Sequence, residues 1–413
     1  MPALCIADKD RQIIDLPYYR ACGQAGLKVF PLLPRDLIPL PSGSDLFFLP
    51  ERRPLGLVVA GLAVEALDGS LPVAAFLPPG YTQLFSTAYE ELEGAGTLPL
   101  FAYTPVAFYK GGLYVPAVRV DSRPKHDITG LDRKELARRL RLFAKTSNRM
   151  ILHLANCATV NTCPNAINFF FGKFEAPLPV SPACNASCLG CISLQGKGGC
   201  AATQPRLNFI PTPQEIAEVA LLHIRAAKNA MVSFGQGCEG EPLMAAGVIR
   251  EAIERIRRET SRGTIHMNTN AGRTADIDVL CRAGLDSVRV SLNSARPEYY
   301  QRYYSPRGYG FSDVAASILV AKKHRKFVSL NYLSMPGFTD RQDEFKAFTS
   351  LLRRTRVNMI QWRNLNYDPQ LYFRQMRVDP AEPLLGMRAV IDGARRLFPG
   401  IRHGYFNVPK EQW

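Results

Sequence analysis

Cys184, Cys188 and Cys191 lie in the run Ser181-Pro182-Ala183-Cys184-Asn185-Ala186-Ser187-Cys188-Leu189-Gly190-Cys191, spaced Cys-x3-Cys-x2-Cys. A loop this tight can wrap one compact inorganic centre with three thiolates. A four-iron, four-sulfur (4Fe-4S) cluster held that way keeps its fourth iron open to a small-molecule ligand. The competing chemistry is a structural zinc ion closed by Cys200 as fourth ligand. Zinc cysteines usually come as two short pairs, and zinc would leave the polar motifs further along the chain unexplained.

Those motifs recur after apolar runs. Residues 231–234 lead into Gly235-Gln236-Gly237-Cys238-Glu239-Gly240-Glu241-Pro242-Leu243, where glycines allow close backbone approach and a carboxylate can meet an ammonium. Residues 264–269 lead into Asn268-Thr269-Asn270-Ala271, and 287–292 into Ser291-Leu292-Asn293-Ser294. Residues 328–333 end at Ser334-Met335-Pro336-Gly337, and 359–362 run on through Gln361, Arg363 and Asn364. With the segment entering Cys184 these make six predicted strands. Helical stretches separate them in the βα order of a parallel sheet or barrel, which carries its chemistry at the carboxyl ends of strands. One helix start is well signed: Thr212 as N-cap, Pro213 at the first helical position, and Glu215 closing a capping box.

Over residues 178–369 the chain resembles the radical S-adenosylmethionine (radical SAM) superfamily. The family's cysteine loop matches Cys184, Cys188 and Cys191, and its Gly-Gly-Glu-Pro element looks like Gly240-Glu241-Pro242. Its Thr-Asn element matches Thr269-Asn270, and its polar fourth strand resembles Ser291-Leu292-Asn293. The resemblance implies an α/β fold with a partial (βα)6 TIM-like barrel, a 4Fe-4S cluster on the three cysteines, and S-adenosylmethionine as cofactor. It gives the methionine amino group to Glu241, the ribose or carboxylate to Ser291 and Asn293, and the adenine border to Leu333 and Gln361. It also implies reductive cleavage to a 5′-deoxyadenosyl radical that takes a hydrogen atom from substrate, with electrons from a flavodoxin- or ferredoxin-type donor. The chain departs from the family pattern at Gly190, where an aromatic or bulky residue is usual, and at Glu239, where the first glycine is expected. Adenine packing is therefore expected from Ile192 or another residue.

The elements that position these residues form four expected units. Residues 1–125 read as an α+β domain of unassigned role, with a hairpin across Gly111-Gly112. Residues 126–177 read as a helical connector carrying Cys157 and Cys163, 178–370 as the barrel, and 371–413 as a cap. Cys157, Cys163, Cys200 and Cys238 are buried thiols without metal, or Cys157 and Cys163 join Cys200 as ligands of a second iron–sulfur cluster, or one of the four acts directly on substrate. His266 reads as a core residue rather than a ligand. Tyr299, Tyr300, Tyr303 and Tyr304 read as helix packing against the barrel, with a substrate channel as the alternative.

The chain of 413 residues has a formal charge of +15. Its basic residues cluster at Arg138, Arg139 and Arg141, at Arg255, Arg257 and Arg258, and at Lys322, Lys323, Arg325 and Lys326. These are solvated helix faces, or a surface for RNA or another acidic substrate. The start lacks the zones of a secretory signal, and the longest apolar run falls far short of the roughly twenty residues of a membrane helix, so a cytoplasmic protein is expected. The substrate is expected to be a peptide, protein or small molecule. An RNA-modifying enzyme and a non-catalytic zinc-stapled binding module are the alternatives.

Overall fold

The computed structural model describes residues 1–60, 63–123, 125, 130–196 and 200–413. Short, proline-interrupted strands fill the first 119 residues. Ala3–Ala7 pairs antiparallel with Ile13–Arg20, Leu71–Phe76 and Ala107–Tyr109, and Cys5, Ala7, Val73 and Val115 share a buried cluster between strands. The expected hairpin is present, with Ala107–Tyr109 opposite Gly112–Arg119. Its turn sits one residue earlier than expected, at Lys110 and Gly111, whose φ values of 49° and 77° are those of a tight hairpin turn. The helical part of the expected α+β domain is absent there: among its described residues only the 3-10 turn Pro34–Asp36 is helical. Prolines at that density break helices but are tolerated on short edge strands.

Three helices follow: α1 (Arg133–Arg141), α2 (Arg149–Thr159) and α3 (Pro164–Phe171). Asp132 and Asn148 cap the first two by accepting from backbone N–H groups, and Gly172 ends the third in the left-handed region that glycine enters without strain. The start of the expected connector, residues 126–129, lies outside the described residues.

The rest is one parallel sheet in sequential order: β1 (Glu175–Pro177), β2 (Met231–Phe234), β3 (Thr264–Thr269), β4 (Ser287–Leu292), β5 (Phe327–Ser334), β6 (Met359–Asn364) and β7 (Arg402–Gly404). Between successive strands run α4 (Pro213–Ala226), α5 (Ala246–Glu259), α6 (Thr274–Ala283), the pair α7 (Pro297–Tyr304) and α8 (Phe311–Lys323), α9 (Gln342–Thr355), and the pair α10 (Pro369–Met376) and α11 (Met387–Leu397). Helices cover the outside, so β2 and β3 are buried at every residue, as strands of a parallel sheet are. The capping box of α4 forms between Thr212 and Glu215.

This architecture is a partial (βα) barrel with an added β-rich domain. It runs past the bounds expected from the sequence: β1 lies within 126–177, while α11 and a seventh strand lie within 371–413. The β-rich domain packs on the β6 side of the barrel. Gln83 N–H donates to Asn364 Oδ1 at 2.9 Å, Asn364 Nδ2 donates to Tyr81 O at 3.1 Å, and Arg52 meets Asp368 at 3.2 Å with both side chains buried. Among the described residues no helix is long and apolar enough to cross a membrane.

Candidate active site

The segment leaving β1 and the loop leaving β2 run side by side. Gly240 N–H donates to Ser181 O at 2.7 Å, and Glu241 N–H to Ala183 O at 2.9 Å. The approach is so close that a Cβ on Gly240 would lie 2.0 Å from Ala183 O, which explains glycine at that position. Glu239 fixes the pair. One carboxylate oxygen accepts from Val180 N–H at 2.7 Å and Ser181 N–H at 3.0 Å, the other from Gly235 N–H at 2.6 Å and Gln236 N–H at 2.7 Å. Burial pushes Glu239 up to about 7, opposed by these four amides, which favour the charged form. Only an ionised carboxylate offers the lone pairs that four donors require. Nothing in the sequence marked this staple except a glutamate in place of a glycine.

Beyond it the cysteine loop hangs from the end of α7. Ser187 N–H donates to Tyr304 O at 2.8 Å and Leu189 N–H to Tyr303 O at 3.0 Å, while Arg307 Nη2 donates to Cys184 O at 2.7 Å. Cys184, Cys188 and Cys191 line one cavity of about 420 Å³ together with Gly240, Glu241, Pro242, Asn270, Ser291 and Leu333. Ile192, Tyr303 and Tyr304 line it too. Gly190 leaves room for this: a Cβ there would stand 3.0 Å from the Tyr303 hydroxyl. The tyrosines thus serve both readings, packing on the barrel and facing the cavity.

Glu241 differs from its expected use. Its carboxylate accepts from Asn270 N–H at 2.8 Å, Leu243 N–H at 3.1 Å and the Thr269 hydroxyl, so it ties the end of β2 to the end of β3 and keeps little capacity for an ammonium. Burial pushes it up to about 7. Asn293 and Gln361 are not brought to the cavity. Asn293 is fully buried beside the Tyr299 carbonyl, and both ends of the Gln361 amide are taken, by Arg289 Nη1 at 3.1 Å and Asn407 Oδ1 at 2.9 Å. Gln361 shares its face of β6 with the cavity-lining Arg363 but lies two residues deeper, and Asn293 lies just past the end of β4, so the apolar pattern did not reveal that neither reaches the cavity.

The donor set suits a soft metal centre. Burial raises the Cys184 thiol, and raises Cys188 well above the ordinary range, with Cys191 and Cys184 adding to the effect at Cys188. Thiols placed so give up their protons to a strongly attracting cation. Arg206, which the sequence did not single out, donates to Cys191 Sγ at 3.5 Å.

His266 is a core residue, as expected, with Nδ1 2.7 Å from the Ser287 hydroxyl and Nε2 2.9 Å from Asn268 Oδ1. Burial lowers it from its ordinary 6.5 to about 4. Between those values the unfolded chain binds the extra proton and the folded chain does not, so stability falls as pH falls, by about 1.4 kcal/mol per unit. Unfolding titrations of His266→Gln and the parent, compared at pH 7 and pH 4, are expected to show the parent losing about 3 kcal/mol more. Parallel curves contradict this.

Several basic residues of the sequence clusters are engaged. Arg138 and Arg139 both pair with Glu135, and Arg257 pairs with Asp286.

Residues 178–349 match the family model described as the Radical SAM superfamily. That stretch of the chain is a Radical SAM domain, and the enzymes of that superfamily use a 4Fe-4S cluster and S-adenosylmethionine. A probable GTP 3′,8-cyclase of Thermococcus kodakarensis is 32% identical over 130 residues, which cover 31% of this chain and 39% of that protein. A GTP 3′,8-cyclase of Limosilactobacillus fermentum is 25% identical over 191 residues, covering 44% and 51%. The chain thus spans about half the length, or less, of these curated relatives. A solved radical SAM methyltransferase from Sphaerobacter thermophilus is 16% identical, with 49% of this chain and 63% of that one covered at a TM-score of 0.36.

Proposed function

We propose that Cys184, Cys188 and Cys191 hold a 4Fe-4S cluster at which S-adenosylmethionine is reductively cleaved, and that the substrate carries an anionic group. The observation that carries the first part is the convergence of the three thiols, the Gly240-Glu241-Pro242 backbone, Asn270 and Ser291 on one cavity. Bound there, the cluster and S-adenosylmethionine supply one-electron cleavage of a carbon–sulfur bond and hydrogen-atom abstraction from substrate. The chain's own residues bind and orient. Gly240 admits a ligand close to the backbone, Glu241 keeps the ends of β2 and β3 in register, Ser291 offers a hydroxyl, and Ile192, Leu333, Tyr303 and Tyr304 exclude water. A flavodoxin- or ferredoxin-type protein fits the need for an external reductant.

The second part rests on Arg289 and Arg363. Both line the cavity and both have a buried Nε without a partner, although Arg289 also donates to Gln361 and is attracted by Glu175, and Arg363 lies over the Tyr405 ring. Burial, with Arg363 adding to it, lowers Arg289 to about 9, so it stays cationic at neutral pH. On β4, Arg289 lies two residues, or about 7 Å, deeper than Ser291 on the same face. Two neighbouring guanidiniums, each with an Nε that has no partner, suit a carboxylate or phosphate. The cyclases that the chain resembles act, by their names, on GTP, which is itself anionic. The RNA-modifying alternative draws less support, since the basic helix faces are partly neutralised by their own acids. A zinc-stapled module accounts for neither the cavity nor its strand-end motifs.

The test of both parts is 5′-deoxyadenosine formation by anaerobically purified, reduced protein, with and without panels of acid-bearing and neutral compounds. Stimulation is expected from acid-bearing compounds alone. Arg363→Met is expected to weaken that stimulation by about 10- to 100-fold, the worth of one charge-assisted hydrogen bond, and to leave unstimulated cleavage intact. Loss of unstimulated cleavage instead assigns the arginine to the cofactor's own carboxylate.

A further inference from the structure

The expected grouping of Cys157, Cys163 and Cys200 does not form. Cys157 stands instead with Cys238 and His153. We propose that His153, Cys157 and Cys238 form a mononuclear zinc site that fastens α2 to the loop after β2. The metal ligand atoms of these residues all lie within 4.8 Å of one another, and Cys157 Sγ is 3.4 Å from His153 Nε2. Around a tetrahedral zinc ion, bonds of about 2.0 Å to nitrogen and 2.3 Å to sulfur place ligand atoms about 3.3 to 3.8 Å apart. A 4Fe-4S cluster needs more room than that.

His153 and Cys157 are four residues apart on α2, so they project from one face. Cys157 and Cys238 are 3% and 6% exposed, in a setting where a bare thiolate pair would be costly and a bound cation repays the desolvation. Cys163 N–H donates to Cys157 O at 3.0 Å, which holds the start of α3 against the end of α2. Cys238 directly precedes Glu239, so a metal here would anchor the loop that positions the cysteine segment.

The proposal does not depend on the radical chemistry, and its test separates the two. The full chain carrying Cys184→Ser, Cys188→Ser and Cys191→Ser is purified without chelator and its metals are counted by mass spectrometry. It is then stripped and titrated with cobalt(II). About one zinc per chain is expected, together with the intense visible bands and thiolate charge transfer of tetrahedral cobalt. Adding Cys238→Ser is expected to weaken cobalt binding at least about 100-fold with the helical circular dichroism retained. Absence of both zinc and cobalt bands overturns the proposal, as does stoichiometric iron and sulfide, which would make this an auxiliary cluster. Should Cys238→Ser fail to fold, the metal count and cobalt spectrum of the triple variant decide alone.

Discussion

Cys188→Ala is expected to abolish S-adenosylmethionine cleavage and to strip the protein of iron. Cys188 is the middle thiol of the loop, and its raised state stems first from burial and then from the two neighbouring cysteines, so it lies at the centre of the proposed cluster site. Two remaining thiolates leave two irons of a cubane without protein ligands, where three leave only the one that the cofactor needs. Mutating mere outer partners of metal ligands costs about 10- to 100-fold in affinity or activity, and losing a ligand costs more. Iron is therefore expected to fall from about four per chain to a trace, with 5′-deoxyadenosine down at least about 100-fold. The loop backbone is held by the Tyr303 and Tyr304 carbonyls and by Arg307, none of which uses the Cys188 side chain, so the fold is expected to survive. Iron content and cleavage at parental levels in this variant would remove Cys188 from the site.

The second large effect is expected at Glu239→Gln. The parent carboxylate accepts four backbone N–H donors across two chain segments. An amide has one acceptor oxygen, and its NH2 group would face two of those donors. Two buried N–H groups left without acceptors cost about 1–3 kcal/mol each, or about 2–6 kcal/mol together. At about 2–4 °C per kcal/mol for a domain of 150–250 residues, the apparent Tm is expected to drop by roughly 5–20 °C. Because Val180 and Ser181 lead directly into the cysteine loop, iron loading on anaerobic reconstitution is expected to fall with it. A Tm within about 2 °C of the parent, a shift worth no more than one ordinary hydrogen bond, contradicts the staple.

Much of the barrel could be read in the sequence because its strands are apolar runs of four to eight residues, each ending in a polar cluster, and the polar clusters that carry the family motifs all come after such runs. The seventh strand, Arg402-His403-Gly404, has three residues and no apolar residue, so only its pairing with β6 reveals it. The helical component expected in the first domain had a similar cause. Its short apolar runs carry no period long enough to separate helix from strand, and prolines settled the matter toward strands.

Within the site, spacing located Cys184, Cys188 and Cys191, Gly240-Glu241-Pro242 and Asn270, because these are local motifs. Contacts made across long stretches of chain left no such mark. Cys157 and Cys238 are brought together only by the docking of α2 on the barrel. Arg289 and Arg363 come to one cavity from β4 and β6, while Gln361 lies two residues deeper than Arg363 on β6 and Asn293 lies past the end of β4, both outside its lining. Glu239 was visible only as a departure from a family pattern, and its role appears once the four amides around it are seen.

The most direct test of the central claim is the 5′-deoxyadenosine released when the anaerobically prepared, iron-loaded full chain is reduced in the presence of S-adenosylmethionine. The structure predicts release that depends on the reductant and disappears in Cys188→Ala. A protein that keeps all three cysteines, takes up no iron and sulfide under those conditions, and releases no 5′-deoxyadenosine above an unreduced control would contradict it.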